Sequence, residues 1–91
     1  MSVVVRLPSQ LRVLVGGVGE VAVEASTVRE AILAVDEAHP GIAFRVLDDR
    51  GVLRRFVNVF VADEDVRFLD GLDTVLEAGQ TVSLVPAVAG G

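Results

Sequence analysis

Cysteine and lysine are both missing from this 91-residue chain, and so are tryptophan and tyrosine. Without cysteine there is no disulfide framework, no thiolate nucleophile and no zinc–thiolate site. Any sulfur chemistry at this protein must bring its sulfur from elsewhere. Without lysine, no side-chain amine is available for an isopeptide link to a second copy, since all eight basic residues are arginine. The single histidine, His39, has neither a cysteine nor a second histidine to complete a metal shell. It has no positioned nucleophile to serve as a catalytic dyad, and reads as a residue beside a helix C-terminus, where positive charge is favoured. The net charge of −5 argues against nucleic acid as a partner, because that binding needs a basic footprint. No apolar run is long enough to span a bilayer, and no basic segment precedes a hydrophobic one as in a secretory leader. The expectation is a soluble, cytoplasmic protein with no membrane partner.

What is present is valine, leucine and alanine. Hydrophobic residues make up 52% of the chain and charged ones 23%, a balance that excludes disorder and suits one small domain over residues 1–91 with a single core. Val3, Val5 and Leu7 alternate with Val4 and Arg6, so residues 2–7 read as a strand that Pro8 ends. Leu11 to Val15 is a short apolar stretch before the turn Gly16-Gly17-Val18-Gly19. Residues 20–25 alternate again, with Val21 and Val23 inward, and the two strands make a hairpin. Thr27-Val28-Arg29-Glu30 is a capping box. Val28, Ala31, Ile32 and Val35 follow at helical spacing, and His39-Pro40-Gly41 closes the helix. Residues 42–47 read as one more turn of helix, and Asp48-Asp49-Arg50-Gly51 as a tight turn.

Residues 56–62 form the strongest strand, with Val57, Val59 and Val61 on one face and Phe56, Asn58 and Phe60 on the other. Asp63-Glu64-Asp65 reads as a solvated turn, with loose cation binding as the lesser alternative, and residues 66–69 as a short strand. Thr74 to Ala78 reads as a helical turn, and residues 81–85 as the last strand. The pattern predicts an α+β fold: a mixed sheet with one helix packed across one face, the helix forming a right-handed crossover that makes its flanking strands neighbours. That is the β-grasp, or ubiquitin-like, arrangement.

One helix covers only one face of such a sheet, and the central strand is apolar on both. If the valines pack under the helix, Phe56 and Phe60 lie on the open face with Val4 and Val85, either as a partner-docking patch or covered by the loop from Leu11 to Val15. Internal candidates for chemistry are weak. The glycine turn at 16–19 leads into a strand and lacks the lysine of a phosphate loop, and the three carboxylates sit too close together to flank a substrate. The remaining unusual group is the carboxylate of Gly91. Glycine at 90 and 91 lets a tail, at about residues 86–91, thread a narrow channel; a frayed end or a cloning scar would look the same.

Arg55-Phe56-Val57-Asn58, Asp63-Glu64-Asp65-Val66-Arg67-Phe68 and Pro86-Ala87-Val88-Ala89-Gly90-Gly91 resemble the ubiquitin-like sulfur carriers of the MoaD/ThiS family, specifically the CysO branch. The likeness extends more loosely over the whole chain. It departs at Ala78-Gly79-Gln80, where relatives usually carry an Asp-Gly-Asp-like turn, and at Ala62, where an Asn is common. The resemblance implies a carrier with no catalysis and no bound cofactor of its own. An E1-like activating enzyme of the MoeB/ThiF type would dock on the open sheet face, at Phe56, Phe60 and Val85, and draw in the tail through Val88, Ala89 and Gly90. With ATP it would adenylate Gly91, and sulfide delivery would then make a thiocarboxylate. The implied acceptor is an aminoacrylate on a pyridoxal-phosphate (PLP)-dependent cysteine synthase, with a JAMM-type metalloprotease releasing cysteine. Related alternatives are the small subunit of molybdopterin synthase and a ubiquitin-like modifier of other proteins.

Overall fold

A computed structural model of the chain describes residues 1–86. Strand β1 (Ser2–Arg6) pairs antiparallel with β2 (Glu20–Glu24), Val3 opposite Val23 and Val5 opposite Val21. Between them the chain makes a short helix, α1 (Ser9–Arg12), and a 3₁₀ turn, Val13–Val15. It reverses through Gly16 and Gly17 at φ 74° and 89°, a region that glycine enters without the Cβ clash other residues meet. Arg12 Nε donates to the Leu7 carbonyl at 2.9 Å and ties this excursion to the end of β1. Leu11 and Leu14 pack against the core cluster and Val15 is buried in it. The segment from Leu11 to Val15 therefore closes the core and is not a cover for the open face.

Helix α2 (Val28–Ala38) begins at Thr27, whose hydroxyl accepts the Glu30 amide at 3.2 Å. The Glu30 carboxylate reaches back one residue further than a capping box requires, accepting the Ser26 amide at 2.8 Å. Val28, Ala31, Ile32 and Val35 are buried, as their spacing predicts. His39 is the C-cap residue. The turn beyond it depends on Asp36, whose Oδ1 accepts the Gly41 and Ala43 amides, both at 3.0 Å, and so leads into α3 (Ile42–Val46). The expected tight turn follows: Gly51 donates to the Asp48 carbonyl at 2.9 Å. The Asp48 carboxylate accepts the amides of Arg50 and Val52 at 2.9 and 3.0 Å. These bonds, that from Val52 foremost, with the nearby arginines lower its pKa.

The other strands are β3 (Val57–Val61), β4 (Glu64–Asp65) and β5 (Thr81–Pro86). The sheet order is β2-β1-β5-β3-β4, with β1 and β5 parallel and the other pairs antiparallel. This is the β-grasp arrangement, but it corrects the expected crossover. The strands flanking α2, β2 and β3, are not neighbours, because β1 and β5 lie between them. Three further expectations change. Only Asp63 of the acidic triplet sits in the turn: Ala62 and Asp63, at φ 52° and 67°, make a two-residue hairpin of the kind that needs positive φ at both positions, and Glu64 and Asp65 pair back onto Val61 and Phe60. Val66–Phe68 is a 3₁₀ turn, started where Asp65 accepts the Arg67 amide at 2.8 Å. The helical turn expected at Thr74 lies earlier, at Gly71–Asp73. Thr74 itself is buried, with its hydroxyl donating to the Gly71 carbonyl, and the chain after it is extended, Val75 bridging to Thr27.

The core lies between one sheet face and the helices. Val3, Val5, Val59, Val61, Val82 and Leu84 meet Ile32, Val35, Ile42 and Val46 there. Among the described residues, no helix covers the opposite sheet face. Alternation along each strand thus decides which residues hold the fold and which are left for other work.

Candidate functional site

Strand β5 is central and delivers the chain to its last residues. On one side it pairs with β1 from Thr81 to Ser83, opposite Val4 to Arg6. On the other it pairs with β3 along its length, from Val82 opposite Val61 to Pro86 opposite Val57. Because β1 ends at Arg6, the last three residues of β5, Leu84, Val85 and Pro86, lie in register with β3 alone. Pro86, counted with the tail from sequence, is the last residue of β5.

Two of the sequence-selected residues come together here. Phe60 is half-buried on the open face, opposite Ser83, and Val85 is 40% exposed two residues further along β5 on that face. Val4 lies on the same face opposite Thr81. Phe56 is 68% exposed, but it precedes β3 in a turn and does not share the strand register. It stands beside Val57, where β5 ends, rather than in the middle of the face.

The face is also more polar than an apolar stripe. Arg6 lies in the row of Phe60 and Ser83 and pairs with Glu20 at 3.0 Å. Arg6, Phe60, Ala62, Asp63, Gln80, Thr81 and Ser83 line a cleft of about 330 Å³. Arg6 and Ser83 are residues that attention to hydrophobic residues passes over. The signal that would have found them is the two-residue period, which puts Arg6 with Val4 and Ser83 with Val85. Among the described residues no group of three histidines or carboxylates could hold a metal ion. Nor, among them, is any helix long and apolar enough to cross a membrane.

Of the tail positions, Val88, Ala89, Gly90 and Gly91 lie outside the described residues. The likeness to known proteins does reach them: residues 5–91 match the ThiS family. The chain belongs to the ThiS family. Its curated relatives include the sulfur carrier protein CysO of Mycobacterium tuberculosis, 42% identical over 93 residues and covering all of both chains. They also include a putative sulfur carrier protein of Archaeoglobus fulgidus, 34% identical over 91 residues with both chains fully covered. Among solved structures, a chain of the Amycolatopsis orientalis BexX/CysO complex superposes with a TM-score of 0.91 at 44% identity, covering 98% of this chain and 99% of that one. That structure has a protein of this family beside another protein. The open face and the end of β5 thus belong to a ubiquitin-like β-grasp fold shared with these structures.

Proposed function

We propose that this chain is a sulfur carrier whose reactive group is the Gly91 carboxylate. The observation that carries the reading is the family match over residues 5–91, which runs through the last strand into Gly90 and Gly91. Full-length likeness to a protein named as a sulfur carrier supports it. An E1-like enzyme docks on the face bearing Phe60 and Val85 and takes the tail. The Gly91 carboxylate attacks the α-phosphorus of ATP, the bond to pyrophosphate breaks, and an acyl-adenylate results. Sulfide displaces AMP and leaves a thiocarboxylate. A thiocarboxylic acid is a stronger acid than a thiol, so the group is anionic at neutral pH and ready to attack an electrophile such as a PLP-bound aminoacrylate. Attack through sulfur gives a thioester, and the acyl group then moves from sulfur to the released α-amine to make an amide. A metalloprotease hydrolyses that amide, restoring the Gly91 carboxylate and freeing cysteine. The chain supplies a handle and a leaving group, the ATP belongs to the activating enzyme, and the lack of cysteine means no internal acyl disulfide can trap the sulfur.

The test is intact-mass measurement after incubation with ATP, sulfide and a cognate activating enzyme. Replacement of one terminal oxygen by sulfur is expected. An unchanged mass with an enzyme of proven activity overturns the carrier reading. Lysine-linked adducts on other proteins in place of the thiocarboxylate would favour a protein modifier.

A further inference from the structure

Strand β4 and the arginine after it, Arg67, have no part in the reaction just described. We propose that Arg67 is a positioning residue that aims the C-terminal tail by clamping the strand on which the tail's exit depends. The inference rests on the carrier reading for its functional consequence, but its structural half stands alone. Arg67 leaves the 3₁₀ turn after β4 and reaches across to the start of β3. One Nη2 donates to the carbonyls of Val57, at 2.8 Å, and Arg54, at 3.1 Å, and Nη1 donates to Asn58 Oδ1 at 3.0 Å. Asp65 holds the base of this arm by accepting the Arg67 amide, and its second oxygen lies 3.8 Å from Nη1.

The clamped residues are the ones opposite the end of β5. Asn58 pairs with Val85, and Val57 with Pro86. The last of these rungs is weak in hydrogen bonds. Pro86 has no amide to donate, and the Val57 amide is directed at the Arg54 carbonyl at 3.1 Å. Beyond Ser83, β1 offers β5 no register partner. Val57 and Asn58 are thus the register partners of the last described residues of β5, and Arg67 bonds to both. The acceptors are divided between the two Nη atoms of a rigid planar fork, a spread that the single ammonium nitrogen of lysine does not match.

The test compares wild type with Arg67→Lys and Arg67→Ala, reading amide hydrogen exchange and the kinetics of adenylation. Bonds to a charged donor are stronger than neutral ones, so exchange at Asn58 and Val85 should rise about tenfold or more in both variants. Val5 and Ile32 should keep their protection. Activation should lose about tenfold in kcat with little change in KM, because the docking face is intact and the tail is misdirected. Exchange rising uniformly, unchanged exchange at Asn58 and Val85, a rise in KM at constant kcat, or full function in Arg67→Lys would overturn the proposal. So would both variants failing to fold, since Arg67 would then be a general structural element. If wild type itself is never adenylated, the carrier reading has failed, and the exchange pattern still decides whether the clamp exists.

Discussion

The two faces of the sheet are made from the same strands, yet they carry opposite duties. Facing the helices, Val3, Val5, Val59, Val82 and Leu84 are almost wholly removed from water. On the other side, Val4, Arg6, Phe60, Ser83 and Val85 remain partly or largely exposed. Because side chains alternate along a strand, a single residue step separates a position that holds the fold from one that is free to meet a partner. The difference teaches that a small domain can leave half of its sheet without a cover only if the other half supplies nearly all the stability.

That division is broken most severely by removing core volume. Leu84→Ala deletes a side chain that is 2% exposed, and the loss should be about 2–5 kcal/mol, measured by chemical denaturation. Its neighbour in sequence, Val85, is the control. Val85→Asp on the open face should leave stability within about 1 kcal/mol of wild type while slowing activation by the partner enzyme. Phe60→Ala should do likewise, with kcat/KM down about tenfold or more if the ring is a central contact. Equal destabilisation of Leu84→Ala and Val85→Asp would dissolve the distinction between the faces. Normal activation of both open-face variants would leave the exposed face without the proposed docking duty.

Much of this division was legible in the sequence because it rests on period alone. The alternation at residues 3–7, 57–61 and 82–85 assigns both faces, and the spacing of Val28, Ala31, Ile32 and Val35 assigns the covering helix. What was not legible depends on geometry between distant segments. The insertion of β5 between β1 and β3 is a matter of tertiary pairing, so a rule about consecutive strands misplaced β2 beside β3. The 3₁₀ turn at residues 66–68 came from a single Asp65 hydrogen bond, which competes with strand propensity in Val66-Arg67-Phe68. Phe56 continues the alternation of β3 on paper, but the Val57 amide turns back to Arg54 and the strand starts one residue later. The arginine clamp was hidden for the same reason, since Arg67 meets residues 54–58 only after the β3–β4 hairpin has folded.

The hairpin between those strands offers a smaller and opposite effect. Ala62 and Asp63 both hold positive φ, a conformation that costs an L-residue other than glycine and that asparagine tolerates better than alanine. The resemblance noted from sequence places an Asn at position 62 in relatives, and this backbone explains that preference. Ala62→Asn should stabilise the chain by about 0.5–1 kcal/mol, seen as a higher thermal midpoint. Ala62 borders the cleft with Phe60, so unchanged activation in the same variant would show that turn strain and docking are separable. A lowered midpoint would mean that the turn is not held as described.

The smallest effect belongs to Asp48, which lies away from both faces in the turn after α3. Its carboxylate accepts two backbone amides, and those bonds with the charges of Arg50 and Arg54 set its folded pKa below the ordinary aspartate value of 3.8. A depressed acid favours the folded state above the unfolded pKa, and that contribution disappears as pH falls through the folded value. Asp48→Asn keeps an oxygen able to accept both amides and removes only the charge. The variant should therefore be slightly less stable than wild type at neutral pH, and the gap in thermal midpoint should close progressively below about pH 4. A gap independent of pH would show that the turn is held by hydrogen-bond geometry without help from ionisation. Activation should be the same in both proteins across the neutral range, because this turn contributes to neither the open face nor β5.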